Sequence, residues 1–332
     1  MILISCRGAL LTTGILAGGL VAGVGASAQA PDFRTNPTNR IGILVMAHGG
    51  TTEWNEAVAR AVRPINDRVP TVVAYGMADP RTLGAALDTL AATGVSRVAV
   101  VRLFMSGRSF SRQTRYLLGL SEDRPEWFVT DEARPIDSVA PIDHGLEVAT
   151  HISGLMNSEA AATIMLDRVQ VASVHPNRES VLLIAHGMEG EQENDEVLAA
   201  MAVIADRIRS TGFARVETAT LREDWPEERE AAEGIIRDFV YQESALGRLV
   251  IVAPFRLSGF GPYATVLDGL AYSPTPGLLP HDAITEWISE VATEIACSEG
   301  WSGEIVAWQA WTNRVLPLGC SGAQPDDGAR AR

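Results

Sequence analysis

The sequence contains no lysine, so all 27 of its basic side chains are arginines. Lysine offers a compact, mobile ammonium group, whereas arginine presents a planar guanidinium that pairs with a carboxylate through two hydrogen bonds. Every fixed positive side chain of this protein is therefore suited to binding carboxylates in a defined geometry. For this reason the arginines are candidate ligands for an anionic partner.

Basic side chains are also outnumbered, because 41 acidic side chains give a formal net charge of −14 at pH 7. Nucleic-acid binding needs a basic surface that neutralises phosphates, so this balance argues against a nucleic-acid partner. It is compatible with the attraction of cations. The composition, 46% hydrophobic and 20% charged, is that of an ordinary globular protein.

A long apolar run lies near the N-terminus. Arg7 is followed by ALLTTGILAGGLVAGVGA and then by Ala28-Gln29-Ala30, a small-x-small pattern typical of a signal-peptide cleavage site. We interpret residues 1–30 as a signal peptide and residues 31–39 as a linker, which predicts an exported, periplasmic or extracellular protein. An uncleaved membrane anchor is the alternative, because the run approaches spanning length. The glycines and the cleavage pattern favour removal, which would leave no stable membrane span.

Cysteine is scarce, with three residues in the chain. Cys6 lies in the predicted signal peptide, so the mature protein would keep Cys297 and Cys320 in an oxidising compartment, where disulfides form and persist. We expect these two cysteines to pair with each other and neither to be catalytic.

One pattern occurs in both halves of the chain. In the first half a β-favouring apolar run ends in Ala47-His48-Gly49, and a helical pattern follows. In the second half VLLIAHG ends in Ala185-His186-Gly187, and an acidic loop and a helix follow. Each histidine is thus predicted just beyond the carboxyl end of a buried strand, which is the edge where open α/β sheets bind ligands.

Strands and helices alternate through both halves, which predicts parallel sheets covered by helices. A fourth strand of the first half is predicted near residues 136–140. We therefore expect an α/β protein with two lobes, residues 40–175 and 176–297, each a parallel β-sheet flanked by helices, with a cleft between them. Residues 298–332 are interpreted as a C-terminal tail.

A strand, A-H-G, a helix with Asn and Glu, and a third strand ending in RLFMSG or PFRLSG resemble the class II tetrapyrrole chelatases. This is the sirohydrochlorin cobaltochelatase and ferrochelatase family of the CbiX and SirB type, and the resemblance covers about residues 40–296 as two tandem copies. It implies two chelatase-like lobes and a divalent metal, Co²⁺, Fe²⁺ or Ni²⁺, as substrate or ligand. It also implies no nucleotide, which agrees with the lack of a G-x-x-x-x-G-K-[ST] loop.

The family's first metal-binding histidine corresponds to His48 in the first copy and to His186 in the second. Its second histidine has no counterpart, because Phe110 and Pro262 stand near the expected loop positions. His281, before the last helix, is the candidate replacement, and a simple helix cap is its alternative role. We expect His186 and His281 to share the metal and His48 to contribute less.

Metal insertion also requires groups that accept two pyrrole protons and groups that hold the acid groups of the macrocycle. Glu53, Glu191 and Glu193 are the candidate proton acceptors, and each also fits a solvated acid in the first turn of a helix. The candidate substrate-binding residues are Arg102, Arg108, Arg222, Arg256, Gly259 and Gly261.

The function implied by the resemblance is the insertion or removal of a divalent metal in a tetrapyrrole such as sirohydrochlorin. The alternative is an exported, non-catalytic protein that binds a metal or a tetrapyrrole without turnover. A third possibility is a partner in an envelope complex that binds neither.

Mass spectrometry of the exported protein tests the interpretation of the N-terminus and the cysteines. We expect a chain that begins at Pro31 and contains a disulfide between Cys297 and Cys320, because the cleavage pattern leaves these two thiols in an oxidising compartment. An intact Met1, or two free thiols without reductant, would contradict the prediction.

Overall fold

Two four-stranded parallel sheets form the framework of the protein. The computed structural model describes residues 40–128 and 139–301. Its strands are β1 Ile41–Ala47, β2 Thr71–Tyr75, β3 Arg97–Leu103, β4 Glu147–Thr150, β5 Glu179–Ala185, β6 Arg215–Thr220, β7 Leu249–Pro254 and β8 Ser273–Pro274. The first sheet has the order β2-β1-β3-β4 and the second β6-β5-β7-β8, with parallel pairing throughout. The predicted α/β architecture with two parallel sheets is confirmed.

Helices connect the strands and cover the sheets. They are α1 Thr52–Asn66, α2 Pro80–Ala92, α3 Ser111–Leu117, α4 Glu159–Ala172, α5 Glu191–Arg209, α6 Pro226–Ala245, α7 Tyr263–Val266 and α8 Asp282–Ser298. Thr51 caps α1 by accepting a hydrogen bond from the backbone N–H of Trp54, and Asp79 caps α2, which begins with Pro80. These caps satisfy N–H groups that have no partner within the helix, which is why the helices begin there.

Side chains of the central strands alternate between the two faces of each sheet. Ile43 and Val45 of β1 belong to one hydrophobic core, whereas Leu44 and Met46 belong to another. The core that contains Ile43 also contains Leu183 of β5, so both sheets share it. Burying one such side chain contributes roughly 1.5–3 kcal/mol, which makes this shared core a main source of stability.

The helix that follows each fourth strand packs against the other sheet. α4 follows β4 but contacts β7 and α5, and α8 follows β8 but contacts β3 and α1. Thr285 of α8 donates a hydrogen bond to the carbonyl of Ala61 in α1 at 2.7 Å, and Arg168 of α4 donates to the carbonyl of Gly277 at 3.1 Å. This exchange explains the shared core. The lobe boundary between residues 175 and 176 stays a prediction, and helix packing crosses it in both directions.

The fourth strand of the first sheet lies later in the chain than the sequence pattern indicated. Most of the predicted range 136–140 lies outside the described residues, and its described end, Val139 and Ala140, is not in a strand. The strand that pairs with β3 is β4, Glu147–Thr150. Its four residues are too few for a clear period-two pattern, which is why the sequence did not reveal it.

Several predictions concern residues that the structure does not describe. The signal peptide at 1–30, the linker at 31–39 and the tail beyond Trp301 lie outside the described residues. Cys297 is disulfide-bonded, and its predicted partner Cys320 lies outside the described residues too. In the described ranges, no helix has both the length and the apolar character that a membrane crossing requires.

Two valines of α4 provide a matched test of the exchanged packing. Val169 is fully buried in the shared core, whereas Val171 is 89% exposed. We expect Val169→Ala to lower the free energy of unfolding by roughly 2 kcal/mol, because it removes buried methyl groups and leaves a cavity. Val171→Ala should change it by less than about 0.5 kcal/mol. Urea unfolding measures both, and equal effects would argue against α4 packing on the second sheet.

Candidate functional site

Two histidines lie at equivalent ends of the two sheets. His48 follows β1 and His186 follows β5, and each of these strands lies between two neighbours in its sheet. Each histidine precedes a glycine with a positive φ, +74° at Gly49 and +86° at Gly187. Glycine adopts a positive φ readily because glycine has no Cβ atom. At both positions this conformation turns the chain away from the strand. Both histidines therefore lie just beyond the carboxyl ends of central strands, where the sequence pattern predicted them, and their role in binding a ligand stays a prediction.

The following glycine carbonyl holds each imidazole ring in the same way. Nδ1 of His48 lies 2.8 Å from the oxygen of Gly49, and Nδ1 of His186 lies 2.9 Å from the oxygen of Gly187. A carbonyl oxygen only accepts hydrogen bonds, so Nδ1 must carry the hydrogen in both rings. In a neutral ring this leaves the lone pair on Nε2, which is the atom that can bind a metal ion or a proton.

His48 presents an available Nε2 atom. No side chain or backbone group of the described residues forms a hydrogen bond to it, and the residue is exposed. The ring stacks on the indole of Trp54, with centroids 5.3 Å apart and planes at 9°. This contact fixes the plane of the imidazole, so Nε2 of His48 has a defined direction and no competing partner among the described residues.

His186 has a carboxylate next to its second nitrogen. Nε2 lies 3.0 Å from Oδ2 of Asp224, and the indole of Trp225 meets the ring edge-on at 5.7 Å. Both ring nitrogens thus face oxygen atoms that accept hydrogen bonds. A ring with hydrogen on both nitrogens would donate to the carbonyl of Gly187 and to the carboxylate of Asp224. A metal cation bound by both Nε2 and the Asp224 carboxylate would equally well explain why these two groups lie together.

Sequence reasoning missed Asp224. It lies just after β6, the strand that pairs with β5, and the backbone N–H of Glu223 donates to the carbonyl of His186 at 3.1 Å. Because parallel strands end at the same edge of a sheet, residues that follow two neighbouring strands come together. The signal was present in the sequence, because Asp224 lies between β6 and the start of α6 at Pro226, and the ends of neighbouring parallel strands lie together.

His281 uses both ring nitrogens within the fold. Its Nδ1 accepts a hydrogen bond from the backbone N–H of Ala283 at 3.1 Å and so caps α8. Nε2 therefore carries the hydrogen and donates to Oδ2 of Asp167 in α4 at 3.3 Å. This is the helix cap left open as the alternative, and no contact of the described residues joins His281 to His186. The described ranges contain no cluster of three or more His, Cys, Asp or Glu side chains suited to a metal ion.

Arg102 is a buried brace of the loop after β3. It is only 2% exposed, and its guanidinium donates to the backbone carbonyls of Gly107, Ser109 and His151. Burial, together with the charge of Arg115, lowers the pKa of Arg102 to about 10, so the group is still charged at neutral pH. Its hydrogen bonds go to the protein itself, and the contacts place it below the surface of the site.

Arg108 lies at the surface and links the two sheets. Its Nη1 atom lies 3.0 Å from Oε2 of Glu196 in α5, and both side chains are largely exposed. Exposed pairs of this kind contribute at most about 1 kcal/mol. The guanidinium can therefore exchange Glu196 for an anionic ligand at little cost.

Arg256 lies over the glycine-rich turn of the second sheet. Its Nη1 atom is 3.2 Å from Oε1 of Glu223, and a Cβ atom on Gly261 would lie 1.8 Å from that nitrogen. Gly259 and Gly261 both have positive φ, +69° and +63°. The turn therefore leaves room for the guanidinium of Arg256, which lies beside Gly261.

The hydroxyl of Tyr263 is buried beneath Arg256, without a hydrogen-bond partner of normal geometry among the described residues. Burial, reinforced by the Glu223 carboxylate, raises the pKa of Tyr263 well above its usual value. The residue is therefore a neutral phenol at physiological pH.

The candidate proton acceptors lie in the first turns of their helices. Glu53 is exposed in α1, where hydrogen bonds from its own backbone N–H and from Thr51 lower its pKa. Glu191 is exposed in α5 and lies 3.1 Å from the guanidinium of Arg222. Arg222 itself is buried, with a φ of +57° and a second bond to the carbonyl of Glu189. It therefore holds the acidic loop that follows His186.

Comparisons with known proteins define the class of fold. No protein-family model and no curated protein matches this sequence. SirB from Bacillus subtilis, a structure with Fe³⁺, aligns with a TM-score of 0.53 over 79% of this chain and 98% of that chain, at 12% identity. At this identity the likeness shows the fold alone, an α/β fold similar to that of SirB.

Two further structures align over a similar part of the chain. The sirohydrochlorin chelatase SirB from Bacillus subtilis subspecies spizizenii, in complex with cobalt, has a TM-score of 0.49 at 13% identity, covering 79% of this chain and 97% of that chain. DR2241 from Deinococcus radiodurans, a multi-domain protein with structural similarity to chelatases, has a TM-score of 0.49 at 18% identity, covering 76% and 55%.

Substitutions of Arg102 and Arg112 test whether the buried Arg102 stabilises the fold more than an exposed arginine does. Arg102→Leu should lower the free energy of unfolding by on the order of 3 kcal/mol, because carbonyls that the guanidinium satisfied lose their partner. Arg112 pairs at 3.1 Å with Asp123, and both side chains are exposed, so Arg112→Leu should change it by less than about 1 kcal/mol. Chemical denaturation measures both, and a fully stable Arg102→Leu variant would contradict the assignment.

Proposed function

We infer that this chain binds a divalent metal ion at Nε2 of His186, with Asp224 beside it, and inserts the metal into a tetrapyrrole such as sirohydrochlorin or removes it. The observation that carries this proposal is the pair of imidazoles at equivalent sheet edges, each with Nδ1 held by its own loop. The 3.0 Å approach of Asp224 to His186 supports a cation at the second sheet. The chelatase-like fold is consistent with the proposal.

Each step of metal insertion has a candidate group at one of the two sheet edges. A neutral imidazole and one carboxylate bind Co²⁺, Fe²⁺ or Ni²⁺ with few enough ligands to allow transfer to four pyrrole nitrogens. The two pyrrole protons need acceptors, and His48 offers an unpartnered Nε2 among the described residues, while Glu53 and Glu191 offer exposed carboxylates. Arg108 is the surface guanidinium best placed to hold an acid group of the macrocycle.

The turn that contains Gly259 and Gly261 is the candidate contact of a flat ligand with the backbone. Arg256 lies over this turn, held by Glu223, and would exchange that carboxylate for one of the ligand. Arg102, by contrast, contributes through the loop that carries Arg108. A role of His281 in metal binding stays a prediction. The capping of α8 by the same ring is the alternative role.

The second candidate function is an exported carrier that binds a metal or a tetrapyrrole without turnover. Its support is the loop after each third strand, where Phe110 and Pro262 stand in place of a second histidine. With fewer imidazoles, a site of this kind accepts a metal but has fewer groups to exchange protons. We also propose export for either function, on the basis of the Ala28-Gln29-Ala30 pattern.

Absorbance spectroscopy of the purified protein with sirohydrochlorin and Co²⁺ separates these functions. Metal insertion above the spontaneous rate supports the chelatase. A spectral shift that stops at one equivalent supports the carrier. The absence of any change, together with no Co²⁺ binding by calorimetry, would refute both and leave the envelope partner.

Calorimetry of histidine variants tests the metal site itself. We expect His186→Ala to abolish Co²⁺ binding, because it removes the imidazole that contacts Asp224, and His48→Ala to have a smaller effect. His281→Asn keeps a side chain that can cap α8 but removes the imidazole. Undiminished binding in this variant would assign His281 to the helix cap, whereas undiminished binding in His186→Ala would contradict the proposed site.

A further inference from the structure

The helix that follows each histidine loop contributes an asparagine that contacts the loop. These are Asn55 of α1, which is half-buried, and Asn194 of α5, which is buried. Oδ1 of Asn55 accepts a hydrogen bond from the backbone N–H of Gly50 at 3.1 Å, and Oδ1 of Asn194 accepts one from the backbone N–H of Met188 at 3.2 Å. In both loops the donor is the second residue after the histidine. The same contact thus occurs at both sheet edges, although the rest of the two loops differs.

The bonded N–H belongs to the peptide unit that also holds the imidazole. The peptide bond between Gly49 and Gly50 contains both the carbonyl that receives Nδ1–H of His48 and the N–H that binds Asn55. Because a peptide unit is planar, its N–H and C=O groups have fixed relative directions. An asparagine that fixes the N–H therefore also fixes the direction of the carbonyl.

The hydrogen bonds within this unit also strengthen one another. A carbonyl oxygen becomes a better acceptor when the N–H of the same peptide is itself hydrogen-bonded, because the bonds polarise each other. The chain from Asn194 through the Gly187–Met188 peptide to Nδ1 of His186 is of this kind. It favours the ring form with hydrogen on Nδ1 over the form with hydrogen on Nε2.

Each asparagine is itself held firmly. Asn194 is only 5% exposed, and a Cβ atom on Gly187 would lie 3.1 Å from its Oδ1. The backbone carbonyl of Asn55 accepts a hydrogen bond from the hydroxyl of Tyr75 at 2.8 Å. Packing thus holds Asn194, and the bond to Tyr75 holds the backbone from which the side chain of Asn55 reaches its loop.

We propose that Asn55 and Asn194 are positioning residues that select the Nδ1–H form of His48 and His186 and so direct the Nε2 lone pair of the neutral ring outward. They act through the intervening peptide and do not touch a ligand. The effect on metal affinity rests on the proposed function, whereas the selection of the ring form does not.

The ring form of His48 is measured directly by long-range ¹H–¹⁵N correlation spectra at a pH where the ring is neutral. His48 suits this test because no described residue bonds to its Nε2. We expect hydrogen on Nδ1 in the wild-type protein and a shift toward the Nε2–H form in Asn55→Leu, which keeps the size of the side chain but removes the acceptor. Asn55→Asp keeps an oxygen acceptor and should retain the Nδ1–H form.

Metal affinity gives the second measurement, on the other sheet. Removing groups that orient a metal ligand through hydrogen bonds typically weakens affinity about 10–100-fold, and we expect this loss of Co²⁺ affinity in Asn194→Leu. Asn194→Asp should restore most of the affinity. The Co²⁺ affinity could also fall because Asn194→Leu destabilises the whole fold. In that case the unfolding midpoint of Asn194→Leu would be lower, and the ring form of His48 would be unchanged in Asn55→Leu.

The outcomes separate this inference from the proposed function. An Nε2–H ring at His48 in the wild-type protein, or an unchanged Nδ1–H ring in Asn55→Leu, would overturn the positioning role and needs no metal. An Nε2–H ring in the wild-type spectrum overturns the positioning role even if Asn55→Leu does not fold. A wild-type protein that shows the Nδ1–H ring but binds no Co²⁺ would overturn the proposed function and leave the positioning role intact.

Discussion

The burial of the central strands on both faces is the constraint on which the rest of the structure depends. Every residue of β1 and of β5 is buried. A strand that is covered on both sides has no place for an unpaired polar side chain, because burial without a partner is costly. Polar chemistry is therefore restricted to the strand ends, and in parallel sheets the loops at one edge meet there.

The two edges of the second sheet illustrate what this restriction produces. At the carboxyl edge, His186 and Asp224 meet in partly open positions. At the amino edge, the buried carboxylate of Glu179 accepts hydrogen bonds from the hydroxyl of Ser173 and from the backbone N–H groups of Val174 and His175. Although burial alone would raise the pKa of Glu179, these bonds lower it overall. One edge is thus satisfied internally, whereas the other retains groups that can bind a ligand.

The arginines of this protein form two kinds of contact, with backbone carbonyls and with carboxylates. Arg102 and Arg168 donate to several backbone carbonyls each and hold irregular segments in place. A guanidinium has five N–H donors, so a buried one can be satisfied by carbonyls without a carboxylate. Arg108 and Arg256 instead pair with Glu196 and Glu223 at the carboxyl edges. Sequence position does not separate these roles, since all four lie near the end of a strand or within a helix.

The sequence by itself determined the strand and helix order, the parallel sheets and the position of His48 and His186 beyond their strands. These features follow from local patterns, because apolar runs, caps and glycines act within a few residues. The short strand β4 escaped this reasoning, since four residues carry too little periodicity.

Only the tertiary structure decided which distant residues meet. The exchange of α4 and α8 between the sheets, the pairing of His186 with Asp224, the burial of Arg102 and the contact of His281 with Asp167 all join segments through packing. The same side chain can cap a helix, bind a ligand or brace a loop, and its chemistry alone does not choose among these roles. The choice depends on which acceptors and donors the folded chain brings within hydrogen-bonding distance, and that is a property of the packed sheets and helices.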